Sequence, residues 1–422
     1  MAERWILHCD CNSFYASVEL LSHPELRRKP VAVCGDPASR HGIVLAKNEP
    51  AKALGVKTAE TIWQAKRKCP DLVLLAPHRE RYVHYYKIIN EIYCRCTDRV
   101  EPFSIDESWL DVTGSWQLFA QSPGDLADRL RAQVREATGL TVSVGVSFNK
   151  VFAKLGSDYK KPDATTLITR ENFRDILWPL PARDMLFVGR SAAEKLAGMG
   201  IATIGDLAAA DERALAAALG KLGHTLSRYA RGLDDAPVRR WGEKEPVKSV
   251  GSGRTFPHDL TTAAEVRSAL AALSDEVAAR LRRHGLWAGA VQLTVRYASL
   301  QTITRQQHLA MSTHLARDLA GAAWQLMAAN WREGTPVRML TVTAQSLADQ
   351  PAAVQQSFFE DAPRPDPRRE KLERSLDAIR SKYGKGAIGA GSILQKDLGL
   401  GRLSMERREE EDEDDQRVKG PL

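Results

Sequence analysis

Apolar and polar positions alternate in short runs over the first 170 residues, and the runs switch between a period of two and a helical period. The first kind predicts strands at 5–10, 31–34, 42–46, 72–75, 100–105, 108–112 and 141–147. The second predicts helices near 14–22, 61–68, 79–96, 123–137 and 149–160; Tyr82, Tyr86, Ile89 and Tyr93 mark the packed face of the third. After about residue 175 the pattern becomes short helices rich in Ala, Leu and Gly, with two of them placed about a Gly198-Met199-Gly200 turn. Charge and proline oppose a compact core at 234–248, which therefore reads as a linker. A separate module follows, with a strand at 248–256, a helix at 262–284, strands at 288–298 and 301–306, a helix at 312–330 and a strand at 336–346. Two strand, helix, strand units predict one sheet with both helices on one face. A last helix at 368–383 alternates in charge and is predicted to face solvent.

Two carboxylates interrupt this pattern where it is apolar. Asp106 and Glu107 are adjacent, between strands separated by almost nothing, so a tight hairpin or bulged bend places them at its turn. In a regular strand they would point to opposite faces, and both serve one cluster only if the backbone turns there. Asp10 ends the first strand, just before Ser13, a candidate helix cap. Hard divalent cations prefer carboxylate oxygen, and Mg²⁺ commonly joins one or two carboxylates to substrate phosphates. Three such acids point to metal-dependent chemistry on phosphates, whereas Asp111 reads as a turn residue. Gly189, Gly198 and Gly200 permit close approach of a phosphate, with an ordinary helical hairpin as the alternative. Arg254, Arg296 and Arg305 are candidate phosphate contacts, with plain solvent exposure as theirs.

A chain of 422 residues exceeds one typical core and predicts two to four domains. No segment approaches the roughly 18 unbroken apolar residues of a membrane span, and the start is no signal peptide, so a cytoplasmic location without membrane association is expected. Six cysteines form two C-x-C pairs and no C-x₂-C repeat; they imply no disulfides, and strand or buried-helix cysteines are preferred to zinc ligands. The net charge of +7 becomes +11 over residues 1–405 once the acidic tail at 406–422 is set aside, which favours a polyanionic partner. Gln355-Gln-Ser-Phe358-Phe359, in a proline-rich polar surround, suggests an anchor for a partner's apolar pocket, with packing back onto the chain as the alternative.

Three motifs together carry a resemblance: Asp10 followed by Phe14-Tyr15-Ala-Ser-Val-Glu19, then Ser104-Ile-Asp-Glu107, then Val144-Gly-Val-Ser-Phe-Asn-Lys-Val-Phe-Ala-Lys154 leading to Lys161-Pro162. From residue 4 to about 360 the chain resembles the Y family of translesion DNA polymerases, in the bacterial DNA polymerase IV branch. The resemblance implies an α+β multidomain right hand. Its ferredoxin-like palm would comprise 1–10 and 80–170, its small fingers 11–79, and its helical thumb with a helix-hairpin-helix 171–234. A linker at 235–247 would lead to an α+β little finger at 248–348, with a clamp-binding segment and flexible tail at 349–422.

The implied activity is template-directed addition of deoxynucleotides to a primer 3′ end, in lesion bypass and without proofreading. Two Mg²⁺ ions would be held by Asp10, Asp106, Glu107 and the carbonyl of Cys11. Tyr15 would exclude a ribose 2′-hydroxyl, Phe14 beside it would count among the substrate-binding residues while serving more for packing, and Lys161 and Lys52 would meet the triphosphate. Gly189, Gly198, Gly200, Arg254, Arg296 and Arg305 would contact DNA, and Gln355, Phe358 and Phe359 would dock a monomeric enzyme on a sliding clamp. Glu49 and Lys52 depart from the Tyr and Arg of many relatives, and Asn12 replaces a second acid. The rival readings are a catalytically silent DNA-binding or regulatory protein and a palm-type nucleotidyl cyclase.

Overall fold

The computed structural model describes residues 3–36, 42–243, 245–351 and 366–389. Contacts divide the chain into two units, 1–243 and 244–422, so the division falls inside the predicted linker. Among the described residues, no helix is long and apolar enough to cross a membrane.

Eight strands belong to the first unit: β1 (Ile6–Cys11), β2 (Val31–Cys34), β3 (Val44–Lys47), β4 (Val73–Leu75), β5 (Val100–Pro102), β6 (Glu107–Asp111), β7 (Val142–Ser147) and β8 (Thr165–Leu167). Five of them form a sheet in the order β5-β6-β1-β7-β8, with β1 at its centre and antiparallel to both neighbours. Alternation divides β1 cleanly. Leu7, Cys9 and Cys11 enter the main core with residues of α1 (Phe14–Leu21), α4 (Arg79–Cys94) and α5 (Pro123–Thr138), while α2 (Glu49–Ala53) and α3 (Ile62–Lys68) belong to a different core. Ile6 joins Trp109, Ala153 and Val238 in a separate cluster on the other side, where α6 (Lys150–Tyr159) lies. Close packing of α6 depends on Gly145, since a Cβ there would fall 1.9 Å from the Ala153 carbonyl oxygen and 2.4 Å from the Ser157 nitrogen.

The second sheet, β3-β2-β4, packs on α2 and α3 through Val44, Ala51, Val56, Ala65 and Leu72. Helices α7 (Phe173–Leu177), α8 (Arg190–Gly198), α9 (Ile204–Ala209), α10 (Glu212–Leu219) and α11 (Lys221–Ala230) share a further core, built on Phe152, Phe173, Leu196, Ile204 and Leu226.

The C-terminal unit holds β9 (Val250–Leu260), β10 (Trp287–Tyr297), β11 (Thr302–Thr313) and β12 (Val337–Ala348), paired antiparallel in the order β11-β10-β12-β9. Helices α12 (Ala263–His284) and α13 (Ala316–Asn330) enter one core against this sheet, which matches the predicted arrangement of both helices on one face. Strand β11 runs to Thr313, so α13 starts at Ala316 rather than at 312. The last helix, α14 (Pro367–Tyr383), has no buried residue. It is nevertheless fastened by charge: Arg282, 3% exposed at its side chain, pairs with Glu373 and with Asp377 at 2.7 Å, and Arg380 pairs with Asp275 at 2.8 Å.

The predicted linker is also more structured than its composition suggests. Val238 is 1% exposed, the Trp241 N–H donates to the Asp98 carbonyl at 2.9 Å, and Arg4 donates to the Ala236 carbonyl at 2.9 Å. Its charges are compensated by Glu101 of β5, which accepts from the Arg239 N–H at 3.0 Å and from the Lys150 ammonium at 2.7 Å. Burial opposes the charge on Glu101, and these partners overcome it, holding its pKa below the ordinary carboxylate range. Glu101→Ala would leave the Lys150 charge without its buried partner. The expected loss is about 3–5 kcal/mol of stability, read as a lower urea midpoint.

Candidate active site

Sheet register brings the three acids together. Asp10 is the cross-strand partner of Glu107, and the Cys11 N–H donates to the Asp106 carbonyl at 3.0 Å. The backbone turn demanded by the adjacent acids is present: β5 ends at Pro102, a bend occupies 103–106, and β6 starts at Glu107. The Phe103 N–H closes this bend onto the Glu107 carbonyl at 2.9 Å. The predicted strand at 100–105 is shorter because Ser104 bonds its hydroxyl to the Asp106 carboxylate and takes the Asp106 N–H, folding the backbone out of the ladder.

Each carboxylate has its own partner. The Lys161 ammonium lies 2.6 Å from Asp10 and 2.7 Å from Asp158, and the Lys154 ammonium lies 2.7 Å from Glu107. His8 is fully buried, with Nδ1 2.8 Å from the Ser157 hydroxyl and Nε2 3.5 Å from Glu107. Trp109 completes this side. Its ring lies edge-on to His8 at 5.3 Å and beneath the Lys150 ammonium at 4.3 Å.

Burial pushes Asp10 up to about 7 despite Lys161, and it raises Asp106 despite the Ser104 bond. Burial also opposes the charge on Glu107, but His8 and Lys154 outweigh it and bring the group down to about 2. His8 is driven down to about 4 by burial, and so is neutral at physiological pH. The folded pKa of Asp10 lies above its ordinary 3.8, so between those values the folded chain keeps a proton that the unfolded chain has lost. Stability from this group therefore falls as pH rises from about 4 to about 7. Asp10→Asn is expected to raise the thermal midpoint by roughly 2–4 °C at about pH 8 and to leave it unchanged near pH 4, as measured by scanning calorimetry.

Among the described residues, no group of three or more His, Cys, Asp or Glu side chains is arranged as a metal site. The donor set itself fits a hard divalent cation. Its carboxylate oxygens sit where burial penalises unpaired negative charge, and two ammonium groups supply the positive charge in this state.

The other expected residues separate into those beside the acids and those away from them. Tyr15 starts α1 close to Asp10 and stacks on Tyr82 at 4.1 Å. Phe14 is 3% exposed within the main core, so its inclusion among substrate contacts gives way to packing. Lys52 lies 3.5 Å from Glu49, whose carboxylate accepts from the Ser13 hydroxyl at 3.5 Å, so this pair adjoins the end of β1. Gly189 precedes α8, whereas Gly198 and Gly200 close its other end. The three glycines therefore do not form one site, being about 13 Å apart along the helix.

The three arginines of the C-terminal unit are divided as well. Arg254 is the cross-strand partner of Leu340 and Arg305 of Leu293, two leucines buried against the helices, while Arg296 pairs with Met339 on the opposite face; Arg305 itself is exposed. Arg305 is also bonded to Asn330 at 2.9 Å. Gln355, Phe358 and Phe359, with the acidic tail, lie outside the described residues. Sequence reasoning passed over His8, Lys154 and Ser104. Their signal was positional: Lys154 lies one helical turn past Lys150 in a motif already singled out.

Comparison with known proteins bears on this geometry. The sequence matches the impB/mucB/samB family over residues 9–158, that family's C-terminal domain over 247–358, and the DNA polymerase-iota thumb domain over 184–234. The DNA polymerase IV of Acetivibrio thermocellus is 45% identical, over 95% of this chain and 100% of its own length. DNA polymerase IV 1 of Bacillus subtilis is 38% identical, over 93% and 94% respectively. A solved Y-family DNA polymerase chimera has a similar fold, with a TM-score of 0.71 and 23% identity, covering 81% of this chain and 98% of that one.

Proposed function

This chain belongs to the impB/mucB/samB family, in the DNA polymerase IV branch of the Y-family polymerases, and we propose that its nucleotidyl transfer occurs at the end of β1 among Asp10, Asp106 and Glu107. It is a template-directed DNA polymerase of lesion bypass with the palm, fingers, thumb and little-finger fold. The observation that carries the residue assignment is the register that sets Asp10 opposite Glu107 while the Cys11 amide binds the Asp106 carbonyl.

In the reaction, the primer 3′ oxygen bonds to the α-phosphorus of a deoxynucleoside triphosphate and pyrophosphate leaves. Asp10, Asp106, Glu107 and the Cys11 carbonyl would hold two Mg²⁺ ions, which when bound acidify the primer hydroxyl and neutralise the leaving phosphates. Lys154 and His8 orient Glu107. Lys161 balances Asp10 in the free protein and meets the triphosphate when it arrives, a task suited to a compact ammonium. Lys52 offers a second positive charge, and Glu49 restrains it in the free state.

The partners are primer–template DNA and deoxynucleoside triphosphates. Gln355, Phe358 and Phe359 dock a monomeric, cytoplasmic enzyme on a sliding clamp. A catalytically silent protein has no need of convergent acids, and a nucleotidyl cyclase has no use for the helical hairpin and basic C-terminal module. Primer extension with Mg²⁺ and each deoxynucleotide singly tests the reading: addition of the template-complementary nucleotide is expected, and its absence would reject it.

A further inference from the structure

Trp63 is 65% exposed on α3, the most exposed tryptophan in the first unit's apolar surface. Its helix is firmly placed. A Thr61–Gln64 capping box closes the N-terminus, the Ile62 N–H donates to the Gly42 carbonyl at 3.2 Å, and Ile43 bridges to Thr61. Ile62, Ala65 and Cys69 take the inner face, which leaves Trp63 outward. One turn on, the Arg67 guanidinium lies 4.9 Å from the indole centroid, and Lys66, Arg67 and Lys68 make the last turn basic. Glu60 and the Gly55 carbonyl engage Lys68, while Lys66 and Arg67 are exposed. Ile43 and Leu54, 38% and 52% exposed, flank the two ends of the helix.

An isolated surface Trp–Arg pair stabilises a fold only weakly, which does not account for an exposed indole. An indole and a guanidinium plane together, with a basic turn beside them, form a surface on which an unpaired base stacks whatever its identity. On a primer–template the unpaired bases are those of the template beyond the primer end, so that is the strand a stacking surface serves, and β3 gives its distance from the acids. This β-strand leads from Ile43 to Asn48 and Glu49, beside Ser13 and the acid end of β1, so the platform is about 17 Å along the chain from the reaction site. This distance is several nucleotide steps, more than a one-nucleotide overhang spans.

We infer that Trp63, with Arg67 and Lys66, is a stacking platform for the unpaired template strand ahead of the site of synthesis. The inference rests on the polymerase reading and adds a contact that the chemistry does not require. Two primer–templates with the same duplex, one with a single unpaired template nucleotide and one with about ten, separate the two. Trp63→Ala is expected to lose about tenfold in affinity for the long overhang by fluorescence anisotropy, to bind the short one like the wild type, and to extend the short one at the wild-type rate. Trp63→Phe should restore most of the loss. Equal loss on both substrates, or none on the long one, would overturn the inference. Wild-type extension of the short substrate in the same assay distinguishes either result from a failure of the polymerase reading.

Discussion

Asp106→Ala is expected to reduce single-turnover nucleotide addition by about 10³-fold or more, equivalent to about 4 kcal/mol of transition-state stabilisation. Primer–template affinity should remain close to that of the wild type, because Asp106 belongs to the acid bend and not to a basic surface. The reasoning is local. Asp106 is held by Ser104, its carbonyl takes the Cys11 N–H, and Glu107 pairs with Asp10, so one substitution removes an oxygen donor without removing a strand. Asp111→Ala provides the comparison. That carboxylate accepts from the Thr113 N–H and hydroxyl at the far end of β6, and its loss should leave the rate of addition unchanged while lowering stability by about 1 kcal/mol. Template-directed addition that survives Asp106→Ala would refute the assignment of the acids.

The acids were legible in the sequence because adjacent carboxylates in an apolar hairpin demand a chemical reason, and the demand for a turn followed from strand alternation alone. Their partners were less legible. Lys154 reaches Glu107 because Gly145 lets α6 lie against the sheet, and His8 because β1 pairs with β6, long-range facts that helical periodicity does not encode. The same limit explains the residues at 236–241. Charge and proline argued for a linker, but Glu101 on a distant strand compensates Arg239, and Val238 finds a core made by Ile6, Trp109 and Ala153. For Arg254, Arg296 and Arg305, basic character could be read directly, but their faces depend on strand register, which shifts at the irregularities in β9, β10 and β12. The strand and helix order of the C-terminal unit was read correctly because its core positions are strongly periodic, although β9 runs on to Leu260 rather than ending at 256 and the β11–α13 boundary is displaced.

Tyr15→Ala is expected to reduce discrimination against ribonucleotides by about 10²-fold, with deoxynucleotide addition within about threefold of the wild type. A side chain excludes a 2′-hydroxyl only if it cannot retreat, and the structure supplies the support. Tyr15 stacks on Tyr82 at 4.1 Å and 12°, and Tyr82 is 1% exposed. The Tyr82 hydroxyl donates to Glu19 at 2.5 Å, and the same buried carboxylate accepts the His78 N–H at 3.0 Å and faces Arg81 at 3.4 Å. Glu19 thus fixes Tyr82, and Tyr82 backs the Tyr15 ring. Tyr15→Phe should preserve discrimination because the ring is the barrier, whereas Tyr82→Ala should weaken it by less than Tyr15→Ala because the barrier remains but can yield. Competition between a ribonucleotide and its deoxy counterpart at one template position measures all three. If Tyr15→Ala discriminates as well as the wild type, the 2′-hydroxyl is excluded elsewhere and the stack on Tyr82 serves only to hold α1 against α4.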